Sequence, residues 1–296
     1  MENDSCLICH SNDIVKYQAC FSEFISRRVF DGIQQKFDLC HCQYCGFAFY
    51  SYRFSDAEAE RLYHHYRDDA YQRQRQACDD WYTKEINDLI GNNKKELESR
   101  HALLSGILKE NIPNISVVQT VLDFGGDKGQ FIPAVLNHAA KYVYDISGAP
   151  VNDGILKLND IEAEKKMQRF DLILCAHVLE HVSDPNEVVS TLKSLMKAGQ
   201  KLYLELPFDS PFYKKITNNI QYLFNPHYSL KNIFKKYMQM RTSKEFQMHE
   251  HINFFTKESV AALLEAYQFE LCHCGYHSVR SEIGNSKVIS ALAIAR

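Results

Sequence analysis

Three glycines within five residues, Gly125, Gly126 and Gly129, follow the β-branched run that ends at Asp123 in VVQTVLDFGGDKGQFIPAVLNHA. Glycine at such a junction lets the backbone turn through conformations closed to other residues and approach a bound ligand. The segment predicts a strand from Val117 to Asp123, a glycine-rich turn, and then a helix whose N-terminus faces the turn. Beyond Pro113, short β-branched runs alternate with helical stretches, as in βαβ units around a mainly parallel sheet. Further strands are expected over Tyr142 to Asp145, Ile155 to Leu158, Asp171 to Cys175, Lys201 to Leu206, Phe269 to His277 and Val288 to Ile294. The last two read as a hairpin turning through EIGNSK. The glycines do not have the Gly-x-Gly-x-x-Gly spacing of a nicotinamide site.

Asp123, Gly125, Gly126 and Gly129 resemble the first motif of class I S-adenosylmethionine-dependent methyltransferases, a hydrophobic strand ending in Asp-x-Gly-x-Gly-x-Gly. Asp127 stands where that family usually carries its middle glycine. Asp145 ends the next strand in KYVYDIS, where a carboxylate can accept both ribose hydroxyls of the cofactor. RFDLILCAHVLEHVSDPNEVV is similar to the family's fourth-strand motif, with Asp184 and Pro185 opening a helix. By the same resemblance Asp160, after the third strand, lies near the adenine. The resemblance covers residues 117–296 and implies a Rossmann-like α/β fold with a seven-stranded sheet and S-adenosylmethionine as cofactor.

Cys6-Leu-Ile-Cys9 and Cys42-Gln-Tyr-Cys45 form two Cys-x-x-Cys knuckles, a spacing that suits a tetrahedral Zn2+. His10, Cys20, Cys40 and His41 lie near enough for one of them to replace a ligand. Four protein ligands close the site, so the ion is expected to be structural and to substitute for a core that residues 1–54 lack. FDLCHCQYCGFAFY and the Tyr- and Arg-rich stretch after it resemble the N-terminal zinc domain of bacterial sugar C-methyltransferases. That resemblance implies a sugar acceptor: a carbohydrate hydroxyl in surface polysaccharide or nucleotide-sugar metabolism, with C-methylation of a nucleotide-linked deoxysugar as the alternative. A non-catalytic zinc-ribbon binding protein is the reading from another class.

Methylation of a hydroxyl needs the acceptor placed beside the methyl group and its proton removed. The candidates are His177, Glu180 and His181 after the fourth strand, and His249, Glu250 and His251 in MHEHINFF at the entry to the following helix; His181 and His251 lead. His177, Glu180 and His181 could share a helix face around a metal, although His-x-x-Glu-His is not the His-Glu-x-x-His of zinc proteases.

Residues 1–54 are thus read as a zinc module, 55–112 as a helical linker or cap, and 113–296 as the catalytic domain, with a lid insertion over 207–249 rich in lysine and aromatic residues. Tyr63, His64, His65, Tyr66, Tyr71 and Arg73 are placed to close the cleft from the cap side. The formal net charge of -3 gives no general attraction to phosphate, so no nucleic-acid partner is expected. There is no signal-like start and no run of about 20 apolar residues, which points to a cytoplasmic protein that touches a membrane only peripherally, through a lipid-linked glycan. Ten cysteines in that reducing compartment suggest metal ligation before disulfides.

Overall fold

The computed structural model describes residues 4–147, 150–209, 211–212, 245–282 and 284–296. Most of the expected lid lies outside the described residues. Two sheets organise the chain, one of seven strands and one of five.

The larger sheet has five parallel strands: β4 (Thr120–Phe124), β5 (Ala140–Tyr144), β6 (Ile155–Leu158), β7 (Leu172–Ala176) and β8 (Lys201–Pro207). Its order is β11-β12-β8-β7-β4-β5-β6, with β12 (Gly284–Ala295) running antiparallel between β8 and β11 (Phe269–Ser281). Val121, Leu122, Ile173, Leu174, Leu202 and Leu204 are almost wholly buried, as strands covered on both faces require. This is the expected Rossmann-like sheet. The final hairpin closes between Ser281 and Gly284, so Gly284 and Asn285 begin the last strand and are not its turn.

The stretch after β4 departs from expectation. No α-helix follows the glycines; the chain makes successive turns and one short 3-10 helix, Ala134–Leu136. Gly125, Asp127 and Gly129 take left-handed φ values of 71°, 50° and 76°, and Pro133 then removes a backbone donor. Neither feature is compatible with a continuous helix.

The five-stranded sheet has the order β10-β3-β2-β1-β9. Strands β1 (Ile14–Phe21), β2 (Lys36–Cys42) and β3 (Ala48–Tyr50) come from the N-terminus, whereas its edges β9 (Phe246–Met248) and β10 (Asn253–Phe254) come from the far side of the insertion. The N-terminal segment also has a core of its own. Phe21, Phe24, Ile25, Leu39 and Tyr50 are buried together with Leu62 and Tyr71 of the following helices and with Met248 and Ile252. Alternation within short strands concealed this core, because half of its partners lie about 200 residues away.

Helix α1 (Glu23–Val29) packs beside β1. Helices α2 (Asp56–Tyr63), α3 (Asp69–Cys78), α4 (Lys84–Leu89) and α5 (Lys94–Asn111) cross from the smaller sheet to the larger, and Ser55 closes a capping box with Glu58 on α2. Arg53 clamps the two sheets together. Its guanidinium donates to the carbonyls of Val182 at 2.9 Å and Ser183 at 2.7 Å and to Asn253 Oδ1 at 2.7 Å. The Asn253 side chain in turn donates to the carbonyls of Leu179 and Val182, each at 2.8 Å.

Candidate active site

The C-terminal rim of the parallel strands gathers most of the residues singled out from the sequence, as open α/β sheets do at their ligand sites. Asp123, at the end of β4, is buried beneath the glycine turn: a Cβ on Gly126 would lie 2.4 Å from its carboxyl carbon. Burial pushes the Asp123 carboxyl up to about 7, and Oδ2 has no hydrogen-bond partner. A Cβ on Gly125 would meet Val178 at 2.4 Å, and one on Gly129 would meet Ile155 at the same distance. The three glycines therefore let the turn settle onto its neighbours. Asp127 adopts the left-handed conformation that glycine takes most readily and that aspartate tolerates. Its N–H donates to Asp145 Oδ2 at 2.9 Å, which ties the turn to the end of β5. Asp160 is exposed, and its carboxylate accepts from Glu162 N and Ala163 N at the start of α6 (Ile161–Met167), so its observed role is a helix cap.

His177, Glu180 and His181 do not share a helix. They occupy a turn between β7 and helix α7 (Pro185–Ser194), and His177 itself has φ of 57°. His177 sits between two buried carboxylates, with Nδ1 3.2 Å from Glu180 Oε1 and Nε2 3.5 Å from Glu205 Oε1. Burial and the Arg100 charge oppose its protonation, but the carboxylates outweigh them and raise it to about 9. Arg100 of α5 holds the same Glu205 oxygen at 2.5 Å, and the Tyr203 hydroxyl donates to the other at 2.7 Å. Burial would raise the Glu205 carboxyl, yet the Arg100 charge brings it down to about 2.

His181 faces a different neighbour, His251, with ring centroids 4.7 Å apart. The MHEHINFF segment carrying His251 joins β9 to β10 on the smaller sheet, rather than leading straight into a helix; α8 (Lys257–Ala266) begins only after β10. Backbone donors of Ile252 and Asn253 reach the Glu180 carbonyl and fix this segment against the 177–181 turn. His181 Nδ1 lies 3.1 Å from the Glu250 carbonyl and 3.1 Å from the Tyr63 hydroxyl. Burial, followed by the His251 charge, lowers His181 to about 4. His251 Nδ1 lies 2.8 Å from Asp209 Oδ2. Glu250 itself points away, accepting from Tyr71 and Arg75 of α3.

Asp209, Arg100 and Glu205 were not among the sequence candidates. Asp209 follows a strand end as Asp145 does, and that position was a usable signal; Arg100 lies on a helix and carried none.

At the N-terminus Cys6, Cys9, Cys42 and Cys45 converge, each sulfur within 4.8 Å of the others. The Cys6–Cys45 and Cys9–Cys42 sulfurs are 3.7 and 3.5 Å apart. Thiolates at about 2.3 Å from a shared tetrahedral zinc stand about 3.8 Å from one another, so the donor set fits that ion. Cys40, on the same strand as Cys42, is buried outside the cluster, and His10, Cys20 and His41 are outside it too.

The family described as "Methyltransferase domain" matches residues 63–273 of this chain. The chain belongs to this family. The methyltransferase therefore uses S-adenosylmethionine, and the match takes in the cap helices from Tyr63 onward while leaving the cysteine knuckles outside. Among curated relatives, the ubiquinone biosynthesis O-methyltransferase of Coxiella burnetii is 31% identical over 99 residues, 33% of this chain and 38% of the relative. The protein of that name from Klebsiella pneumoniae is 32% identical over 98 residues, 33% of this chain and 37% of the relative. The chain thus matches well under half the length of these relatives. Among solved structures, the magnesium protoporphyrin IX methyltransferase of Synechocystis PCC 6803 is 14% identical with a TM-score of 0.46, covering 80% of this chain and 99% of that one.

These relatives correct the expected acceptor. Proteins named for ubiquinone biosynthesis, not sugar methyltransferases, are what the methyltransferase is similar to, so the sugar readings, both O- and C-methylation, are set aside. The sugar inference rested on the resemblance of the cysteine knuckles and the stretch after them, which lie mostly outside the matched residues 63–273. A non-catalytic zinc-ribbon protein is set aside with them, since the family match is to an enzyme domain. Among the described residues, no helix is long and apolar enough to cross a membrane.

Two outcomes follow. Asp145→Ala is expected to weaken S-adenosylhomocysteine binding by at least tenfold in calorimetric titration, whereas Asp160→Ala leaves affinity unchanged and costs about 1 kcal/mol of stability in urea unfolding. Equal effects of the two variants on affinity would reverse these roles. Asp123 has a folded value near 7, raised above its unfolded range, so the native state holds its proton where the unfolded state has lost it. Its contribution to stability is present at acidic pH and is lost as pH rises through about 7. Unfolding free energies at pH 5 and pH 8 should show this fall, and Asp123→Asn should flatten it.

Proposed function

We propose that the methyltransferase transfers the methyl group of S-adenosylmethionine to oxygen, at a hydroxyl on an aromatic ring of a small molecule, and that this hydroxyl is deprotonated beside Glu180, His181 and His251. The observation that carries the reading is the convergence of these three side chains on a turn that packs, through Val178, against Gly125 of the glycine turn. The name of the curated relatives supports oxygen as the methylated atom, and the ring hydroxyl is our own extension from the quinone that the name mentions.

The cofactor site we assign to the turn of Gly125, Gly126 and Gly129, with Asp123 beneath it and Asp145 at its rim. The close fit of that turn and the carboxylate beside it suit a ligand with a ribose. When bound, S-adenosylmethionine supplies an electrophilic methyl group. Around the acceptor, the Tyr63 and Tyr66 rings, 5.4 Å apart and edge-to-face at 78°, offer an aromatic ring an apolar corner to pack against. His177, charged and held between Glu180 and Glu205, we assign a positioning role. Ordering of residues 177–181 depends on it, because removing the cation would leave Glu180 buried without its close partner, while Glu205 would keep Arg100.

Cys6, Cys9, Cys42 and Cys45 would hold a structural zinc, closing the start of the chain onto the β2–β3 turn.

Incubation with S-adenosylmethionine and a panel of catechols, hydroxybenzoates and aliphatic alcohols should yield methyl ethers of the ring hydroxyls only, identified by mass spectrometry. His181→Ala should lower kcat at least a hundredfold with S-adenosylhomocysteine affinity intact. Methylation at carbon, or unaltered turnover in His181→Ala, would sink the proposal. Metal analysis of the purified protein should find one zinc per chain that Cys45→Ser loses; a zinc-free, folded protein would remove the ion from the description.

A further inference from the structure

Glu180 is wholly buried, and neither of its carboxylate oxygens makes a hydrogen bond. Its nearest cationic neighbour is His177, whose Nδ1 lies 3.2 Å from Oε1. A carboxylate buried in this way ordinarily gathers several donors, and each missing one costs free energy. Opposite it stand two imidazoles, and one ligand atom from each of Glu180, His181 and His251 lies within 4.8 Å of the other two.

The imidazoles are oriented in a particular way. His181 Nδ1 lies 3.1 Å from both the Glu250 carbonyl, which can only accept, and the Tyr63 hydroxyl, which can accept as well; a proton on Nδ1 serves both and leaves the lone pair on Nε2. His251 Nδ1 faces the Asp209 carboxylate at 2.8 Å, with the same consequence. Histidines that ligate metals characteristically donate their second ring nitrogen to a backbone carbonyl or a carboxylate, and here each does one of the two. Two structural histidines would not explain a carboxylate buried beside them whose oxygens accept no hydrogen bond.

We propose that Glu180, His181 and His251 bind a first-row divalent cation. Two imidazoles and one carboxylate suit manganese, iron, cobalt or zinc, and leave positions open. Ligand atoms about 2.1 Å from one cation stand about 3.4 Å apart in a tetrahedral site, so an outermost pair up to 4.8 Å apart would draw in by about 1.4 Å on binding. The inference rests on the proposed O-methylation and deepens it: the open positions take the acceptor hydroxyl as its oxyanion, and the proton leaves to solvent. The site is assembled from both sheets, with Glu180 and His181 following β7 and His251 between β9 and β10.

Manganese is the probe of choice, because it prefers oxygen and nitrogen and leaves a thiolate site largely alone. Zinc-replete protein would be titrated with Mn2+ and followed by electron paramagnetic resonance, with pulsed measurement of nitrogen coupling. One bound Mn2+ per chain with imidazole nitrogen coupling is expected, and at least a tenfold weaker affinity in both Glu180→Gln and His251→Gln, each checked for folding by S-adenosylhomocysteine titration. Asp209→Asn should weaken Mn2+ less than either, as an outer partner does. No bound Mn2+, or bound Mn2+ without nitrogen coupling, in protein that still binds S-adenosylhomocysteine would overturn the cation site and leave the methyltransferase reading standing. If the cation binds but no ring hydroxyl is methylated, the acceptor assignment fails alone.

Discussion

The clamp between the two sheets is the constraint on which the candidate site depends. Glu180 and His181 belong to one sheet's rim and His251 to the other sheet's edge, so neither body holds the cluster alone. What brings them together is mostly backbone: Ile252 and Asn253 donate to the Glu180 carbonyl, while β10 pairs with β3. Arg53 then caps the carbonyls of Val182 and Ser183 that the turn leaves without helical partners. Burial lowers the Arg53 guanidinium to about 10, still far above neutrality, so the clamp stays charged under ordinary conditions. A cation satisfied by carbonyls suits this place better than an ion pair would, because it binds two chain segments at once without adding an anion beside Glu180.

A second arrangement keeps that anion in place. Along the rim, charges alternate from Arg100 through Glu205 and His177 to Glu180, with the two carboxylates wholly buried. His177 is shared between the two carboxylates and Arg100 pairs with Glu205, which offsets the desolvation that would otherwise drive the carboxylates to take up protons. Arg100 comes from α5, a helix outside the sheet, so the cap contributes to the electrostatics of the site as well as to its shape. Tyr63, also from the cap, reaches His181 directly.

Much of the larger sheet was legible in the sequence because its strands are local and buried on both faces: Ile155–Leu158 lies where expected, and β8 extends only to Pro207. Asp123, Asp145 and the glycines were legible because a strand end followed by a turn is a short-range pattern. That the expected helix after the turn does not form was not legible, because spacing of apolar residues does not register left-handed φ at Asp127 or the backbone donor lost at Pro133. The smaller sheet was only partly legible. Its edges join residues 19–21 to 246–248 and 48–49 to 253–254, and no local periodicity reports pairings across such a distance. For the same reason His251 was placed before a helix, and its partner Asp209 was not seen at all.

The long-range pairing also gives the cysteine cluster a consequence beyond its own fold. Cys45 is separated by two residues from β3, and its carbonyl accepts from Thr256 Oγ1 at 2.6 Å, the residue that caps α8. Gly46 is packed so closely there that a Cβ would lie 2.9 Å from the Thr256 methyl carbon. The segment from His251 to Thr256 is therefore pinned at its end by the cysteine knuckle and along its length by β3. Anything that fixes the four sulfurs also fixes the register of β3, and through β10 the position of His251. A cysteine cluster separate from the candidate site can in this way decide whether Glu180, His181 and His251 meet.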